Sequence, residues 1–268
     1  MGDTNNEKPA LLIDLDGVVY QGEKIIPGAA DTIDWINTNK IPHLFVTNTT
    51  SRSRSSLLKK FKALGIAGDI SDIITPIVAT AQWLCSQHIG RAALFVVDDA
   101  LPDFIDIEQC EADVDSDVDA VVIGDLGDSW DYDTLNRAFR FLMNEPKPIL
   151  IALGMTRYWR AADGLRIDVA PFVKALEYAA DCEAKVIGKP STDFFDSCLA
   201  LLNQKAGNTI IIGDDIVGDI QGAKKLGIRG VLVKTGKYLP QDLQRGIEVD
   251  GLLNSIADLP HWWTEKFD

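Results

Sequence analysis

Residues 10–17 read ALLIDLDG: four apolar residues, then Asp14 and Asp16 separated by one leucine, then Gly17. A short uncharged run ending in acids has the form of a buried strand that stops at its carboxyl end, with a glycine allowing a tight exit. Two further runs end in the same way. HLFVTN (43–48) closes on Thr47 and Asn48, and TIIIGDD (209–215) closes on Asp214 and Asp215. Working outward, strands are expected at 10–14, 43–47, 93–97, 120–123, 148–152, 209–212 and 230–233. Helical patterns fall between them. One opens at Pro27 and runs to Asn39. Another is capped by Ser51, groups Leu57, Leu58, Phe61 and Leu64 on one face and stops at Gly65. Strands alternating with helices predict an α/β fold on a parallel sheet, where ligands sit beyond the carboxyl ends of the strands. Asp14, Asp16, Thr47, Asn48 and Asp214, distant in sequence, are therefore expected to converge on one acidic pocket.

Composition narrows the function classes. The chain has 268 residues, 46% hydrophobic and 25% charged, long enough for a substantial core and without an apolar run of membrane-spanning length. No membrane partner is expected, and the polar start MGDTNNEKPA lacks a secretion pattern, so the expected location is cytoplasmic. The formal net charge of −14 argues against nucleic acid as a partner. This excess is local: residues 92–136 hold fourteen Asp or Glu and no Lys or Arg, leaving 26 acids and 26 bases elsewhere. That segment is expected to belong to a different unit from the rest. Asp113, Asp115, Asp117 and Asp119 alternate within it, but Val118 stands where a calcium loop needs glycine and Gly124 where it needs glutamate. A solvated loop leading into strand 120–123 is the better reading. Cys85, Cys110, Cys182 and Cys198 have no metal-ligand spacing with one another or with His43, His88 and His261, and are expected to be buried thiols.

The residues at the strand ends suit phosphoryl chemistry. A phosphate ester repels a bare carboxylate nucleophile, so attack needs a cation to screen both and donors to hold the phosphoryl oxygens. Asp14, Asp16 and Asp214 are oxygen donors fit for a hard cation such as Mg²⁺. Thr47, Asn48, the helix N-terminus that follows and Lys189 in GKP (188–190) offer donors and positive charge. Asp16 suits a general acid that later activates water, which needs a carboxyl able to hold a proton at the moment of cleavage. Asp215 and Asp219 are candidates for orienting Lys189 or metal-bound water. Surface turns and helix caps use the same residue types, so each signal alone also has a structural reading. Signatures of other chemistries (G-x-S-x-G, H-E-x-x-H, G-x-G-x-x-G) are absent.

In order, DLDGV (14–18), VTN (46–48), GKP (188–190) and GDDIVGD (213–219) resemble the motifs of the haloacid dehalogenase superfamily of aspartate-nucleophile phosphatases. The spacing resembles its NagD-type branch, subfamily IIA. TRYWRAADGL (156–165), PFVKALEYA (171–179) and VKTGKY (233–238) are similar to the phospholysine phosphohistidine inorganic pyrophosphate phosphatase group. The resemblance implies a Rossmann-like parallel-sheet core formed by residues 1–74 and 186–268, with an α/β cap inserted over 75–185. It implies Asp14 as the nucleophile that becomes an aspartyl phosphate and Asp16 as general acid and base. The implied metal ligands are the Asp14 carboxylate, the Asp16 backbone carbonyl and Asp214, with Thr47, Asn48 and Lys189 gripping the phosphoryl group. Some members of that group carry serine at the position of Asp16, and the retained acid here points to a more general phosphatase. The partner is then a small phosphorylated substrate chosen by the cap, with Arg157, Tyr158 and Arg160 as candidate contacts. Trp83, Trp159, Trp262 and Trp263 are candidates for core or for a homodimer contact through the cap. Two other readings stay open: a 2-haloacid dehalogenase, and a regulatory protein that binds a phosphorylated ligand with little turnover.

Overall fold

The computed structural model describes residues 8–104, 107–109, 117–161 and 164–267, without the side chains of 109, 160 and 161. The chain forms two compact units: residues 1–47, 57–74 and 195–268 in the first, and residues 48–56 and 75–194 in the second.

The first unit is built on a six-stranded sheet, ordered Gly251–Leu253, Arg229–Val233, Thr209–Gly213, Ala10–Asp14, His43–Val46 and Ile73–Ile74. Every pairing is parallel. Ala10–Asp14 lies inside the sheet and is buried along its whole length, as a strand covered on both faces must be. From it the chain winds one way, to 43–46 and then 73–74. It returns at 209–213 on the opposite flank and winds the other way. The strand order therefore reverses between Ala10–Asp14 and Thr209–Gly213, the place where open α/β sheets bind ligands. Leu11, Ile13, Phe45, Ile210 and Ile212 pack with Ile33 and Ile36 of helix Ala29–Thr38, Phe61 of helix Arg54–Leu64 and Trp263 of helix Leu259–Phe267.

The second unit repeats the plan with a five-stranded parallel sheet, ordered Lys185–Val186, Ile149–Ala152, Ala120–Ile123, Arg91–Phe95 and Glu108–Gln109. Val121, Ile123 and Leu150 pack against Phe141 of helix Tyr132–Leu142 and against Val173 and Leu176 of helix Val169–Ala180. An antiparallel hairpin, Tyr158–Ala161 with Gly164–Ile167, is paired apart from this sheet. The acid-rich segment falls in this unit. Asp117 and Asp119 are exposed ahead of strand 120–123, while Asp113 and Asp115 lie outside the described residues. Among the described residues no helix is long and apolar enough to cross a membrane.

Several local expectations need correction. The second helix begins at Arg54, not after Ser51, and the Ser56 N–H donates to Ser53 Oγ at 3.1 Å, so Ser53 is the cap. Cys85 is exposed, whereas Cys182 is half-buried, Cys198 is buried and Cys110 is outside the described residues. Trp263 is core and Trp262 is partly buried against it, while Trp83 carries Lys185 over its ring at 4.8 Å. The Arg160 side chain lies outside the description.

Candidate active site

Three carboxylates meet in the first unit. Asp14 ends the Ala10–Asp14 strand, Asp214 follows Thr209–Gly213, and Asp219 lies on the wide-turn (π) helix Ile216–Gln221. One oxygen of each lies within 4.8 Å of the others, and all three side chains are buried. Two ionised carboxylates at this separation repel by about 3–4 kcal/mol at an effective dielectric of about 20, a repulsion that positive charge placed among them relieves. Among the described residues it is the only group of three or more Asp, Glu, His or Cys side chains so arranged.

The turn 235–237 fixes Asp214. The Lys237 backbone N–H donates to Asp214 Oδ2 at 2.6 Å, and Thr235 Oγ1 donates to the Gly17 carbonyl. Gly17 (φ 93°) and Gly236 (φ 63°) both occupy left-handed conformations, and a Cβ on either would lie 2.1 or 2.0 Å from Asp214 Oδ2. Two glycines thus let two backbones close around one carboxylate. The Lys237 ammonium stands 3.4 Å from Asp215 Oδ2. Partial desolvation pulls this lysine down, but the fields of Asp215, Asp214, Asp14 and Asp219 outweigh it and hold it above the ordinary lysine range. Asp215 accepts from the Val217 and Gly218 N–H groups at 3.0 and 2.8 Å, capping the helix 216–221. Burial raises its carboxyl, and those bonds together with Lys237 bring it below the usual aspartate range. The Asp215 N–H in turn donates to Asp219 Oδ2 at 3.1 Å.

Asp16 is not part of the buried group. It is exposed, on a turn whose Val19 and Tyr20 N–H groups both donate to the Leu15 carbonyl, and it accepts a long bond from Gly22 N–H at 3.4 Å. Thr47 is buried just past His43–Val46, its N–H donating to the Ile74 carbonyl. The structure therefore gathers Asp14, Asp214 and Asp219, sets Asp215 beside them as a cap, and leaves Asp16 facing water. Sequence reasoning missed the 235–237 turn. Its signal was the glycine of VKTGKY just past a buried strand.

In the second unit, Asn48 and Lys189 are joined. Asn48 Nδ2 donates to the Lys189 carbonyl and Asn48 Oδ1 accepts from the Lys189 N–H, both at 2.8 Å. The side-chain amide expected to grip phosphate is committed to the backbone of the GKP loop, so Asn48 holds Lys189 in place. A Cβ on Gly188 would sit 2.4 Å from the Leu153 carbonyl, which is why glycine precedes the lysine. Lys189 itself is buried. The helix N-terminus after Asn48 is already used by the protein's own acids. Ser53 N–H donates to Asp99 Oδ2 at 2.8 Å, and Arg54 donates to Asp103 through its N–H at 2.7 Å and its Nε at 3.0 Å. That end therefore does not offer the anion site expected from sequence.

Comparison with known proteins agrees with this architecture. Residues 11–108 match the model of the haloacid dehalogenase-like hydrolases, and residues 186–259 match a second model of related hydrolases. The chain is 39% identical over 254 residues to phospholysine phosphohistidine inorganic pyrophosphate phosphatase of Xenopus laevis, covering 92% of each chain. Among solved structures, p-nitrophenyl phosphatase from Archaeoglobus fulgidus superposes with a TM-score of 0.86 at 23% identity, covering 96% of this chain and 99% of that one. NagD from E. coli superposes with a TM-score of 0.84 at 21% identity, covering 94% and 98%. At these identities the two structures speak to the fold.

Proposed function

The chain belongs to the haloacid dehalogenase-like hydrolases and is a phosphatase of that family; on that premise we propose that it hydrolyses small phosphate monoesters through an aspartyl phosphate on Asp14. The observation that carries the reading is the buried cluster of Asp14, Asp214 and Asp219 at the switch point of the sheet. Its donors are all carboxylate oxygens inside a glycine cradle, a set suited to a hard divalent cation and unsuited to thiolate- or imidazole-seeking metals. Mg²⁺ is the cation we assign; Asp14, Asp214 and the Asp16 carbonyl would hold it, with the Asp219 carboxylate in the same cluster. When bound it screens the carboxylate nucleophile from the anionic ester and draws charge from the phosphoryl oxygens.

The rest follows from the chain's own groups. An Asp14 carboxylate oxygen forms the bond to phosphorus as the ester oxygen departs. Asp16 gives that oxygen its proton; its exposed position lets it then take a proton from the water that attacks the aspartyl phosphate, releasing inorganic phosphate and restoring Asp14. Thr47 donates to the phosphoryl oxygens. Lys189, held by Asn48, supplies the positive charge. We assign residues 1–74 and 186–268 to the catalytic core and 75–185 to an inserted cap that selects the leaving group. A phosphoamino acid or pyrophosphate, both within the name of the Xenopus relative, are the first substrates to try.

The test is p-nitrophenyl phosphate turnover with and without Mg²⁺. Activity is expected to vanish with EDTA and return with Mg²⁺. Asp14→Asn is expected to lose roughly 10⁴-fold or more, the scale on which removing a covalent nucleophile acts. Equal rates for wild type and Asp14→Asn would overturn the reading.

A further inference from the structure

The second unit holds a cavity of about 380 Å³ that the phosphoryl chemistry does not draw on. One wall is Trp130, whose ring lies nearly parallel to Phe172 (centroids 4.6 Å apart, 14° between planes) and to Phe95 (6.2 Å, 11°). This indole is fixed between two rings. The hairpin contributes Trp159 and Ile167, which are 46% and 62% exposed. Asp125 and Asp128 complete the lining, together with Arg166, whose Nη1 stands 2.9 Å from Asp128 Oδ1. With that pair neutralised, Asp125 leaves the lining net negative.

Each ligand class meets this lining differently. An anion is repelled by Asp125, the charge left over once Asp128 and Arg166 pair. A neutral apolar molecule covers the rings but strips water from the acids. A hard metal ion gains nothing from indole faces and needs more oxygen donors than the cavity presents. A bulky, weakly hydrated organic cation gains on both counts, since the exposed Trp159 face attracts positive charge and Asp125 supplies the counter-charge. The volume is within the range of small-molecule sites.

We propose that this cavity is a binding site for an organic cation of the quaternary ammonium type, lodged against the exposed Trp159 ring beside the fixed Trp130, with Asp125 as counter-charge. It does not rest on the phosphatase reading, because it is tested by binding without turnover. Isothermal titration calorimetry on the full chain compares choline with 3,3-dimethylbutan-1-ol, its neutral isostere. Choline is expected to bind saturably and about tenfold more tightly than the alcohol, the difference being the charge acting on the rings and acids. Trp159→Ala and Asp125→Asn should each weaken choline severalfold. Trp159→Phe, which restores a ring face, should recover most of the loss and so separates ring recognition from damage to the fold. Equal affinity for choline and the alcohol, no saturable choline binding, or choline binding indifferent to both Trp159→Ala and Asp125→Asn would overturn the proposal.

Discussion

The two units set acids beyond parallel strands in opposite surroundings. In the first, Asp14 and Asp214 follow neighbouring strands and are buried with Asp219 inside one small volume. In the second, Asp125 and Asp128 follow the strand Ala120–Ile123, Asp128 is 91% exposed, and the space between them is walled by indole and phenyl rings. The same side chain does different work in each. Buried and crowded carboxylates create a field that a hard cation relieves. Acids at a wet, aromatic rim favour a soft cation that keeps little water of its own. Burial, more than residue type, decides which chemistry a strand end supports.

The sharpest way to break this comparison is Asp16, the one exposed acid among the expected site residues. Asp16→Asn is expected to lower p-nitrophenyl phosphate turnover by about 10²–10⁴-fold, the usual worth of a general acid. Because the side chain is exposed and weakly bonded, the same change should move folding stability by only about 0.5 kcal/mol or less. A stability loss as large as the rate loss, read from urea unfolding, would make Asp16 a structural residue. Core packing is the next largest effect. Phe61 and Phe141 are fully buried, one in each unit, and Phe→Ala at either should cost about 3–5 kcal/mol by urea denaturation. A loss under about 1 kcal/mol at Phe141 would mean that the second unit is not packed as tightly as the first.

Gly236→Ala probes the cradle around Asp214. The residue is held at φ 63°, and the new methyl would fall 2.0 Å from a carboxylate oxygen. Strain of about 1–3 kcal/mol is expected, together with a loss of turnover, because Asp214 must move. Wild-type turnover in Gly236→Ala would detach the 235–237 turn from the site.

How far the sequence revealed this follows from where each signal lies. The strands 10–14 and 120–123 were legible to the residue, because continuous apolar runs bounded by polar residues leave little choice. Asp14 and Asp214 could be placed at strand ends for the same reason. Asp219 was read as standing behind the site. It enters the cluster because residues 216–221 form a wide turn, with the Ile220 N–H reaching back to the Asp215 carbonyl, and no residue pattern marks such a turn. The strands Ile73–Ile74, Lys185–Val186 and Gly251–Leu253 are too short for any periodicity. The hairpin 158–167 was missed because each of its strands is only four residues long, too short for a periodicity to stand out. Asn48 could not be seen to clamp Lys189, since the bond joins residues 141 apart in sequence.

The smallest expected effect is the most specific to the second unit. Asp168 caps helix Val169–Ala180 by accepting the Val169 N–H at 2.7 Å. Burial raises its carboxyl above the ordinary aspartate range, the Val169 bond opposes this, and the charge of Asp125 adds to it. A carboxyl raised on folding holds its proton longer in the native state than in the unfolded one. Its contribution to stability is therefore intact below the ordinary aspartate range and is lost as pH rises to the elevated folded value. Asp168→Asn keeps an acceptor for the Val169 N–H and removes the charge. It should leave stability unchanged in strong acid and raise it by a few tenths of a kcal/mol near neutrality, measured by urea midpoints across pH. A variant less stable than wild type at neutral pH would mean that the ionised carboxylate earns more at the helix N-terminus than it loses to burial and to Asp125, and the contrast between dry and wet acids would not extend to this residue.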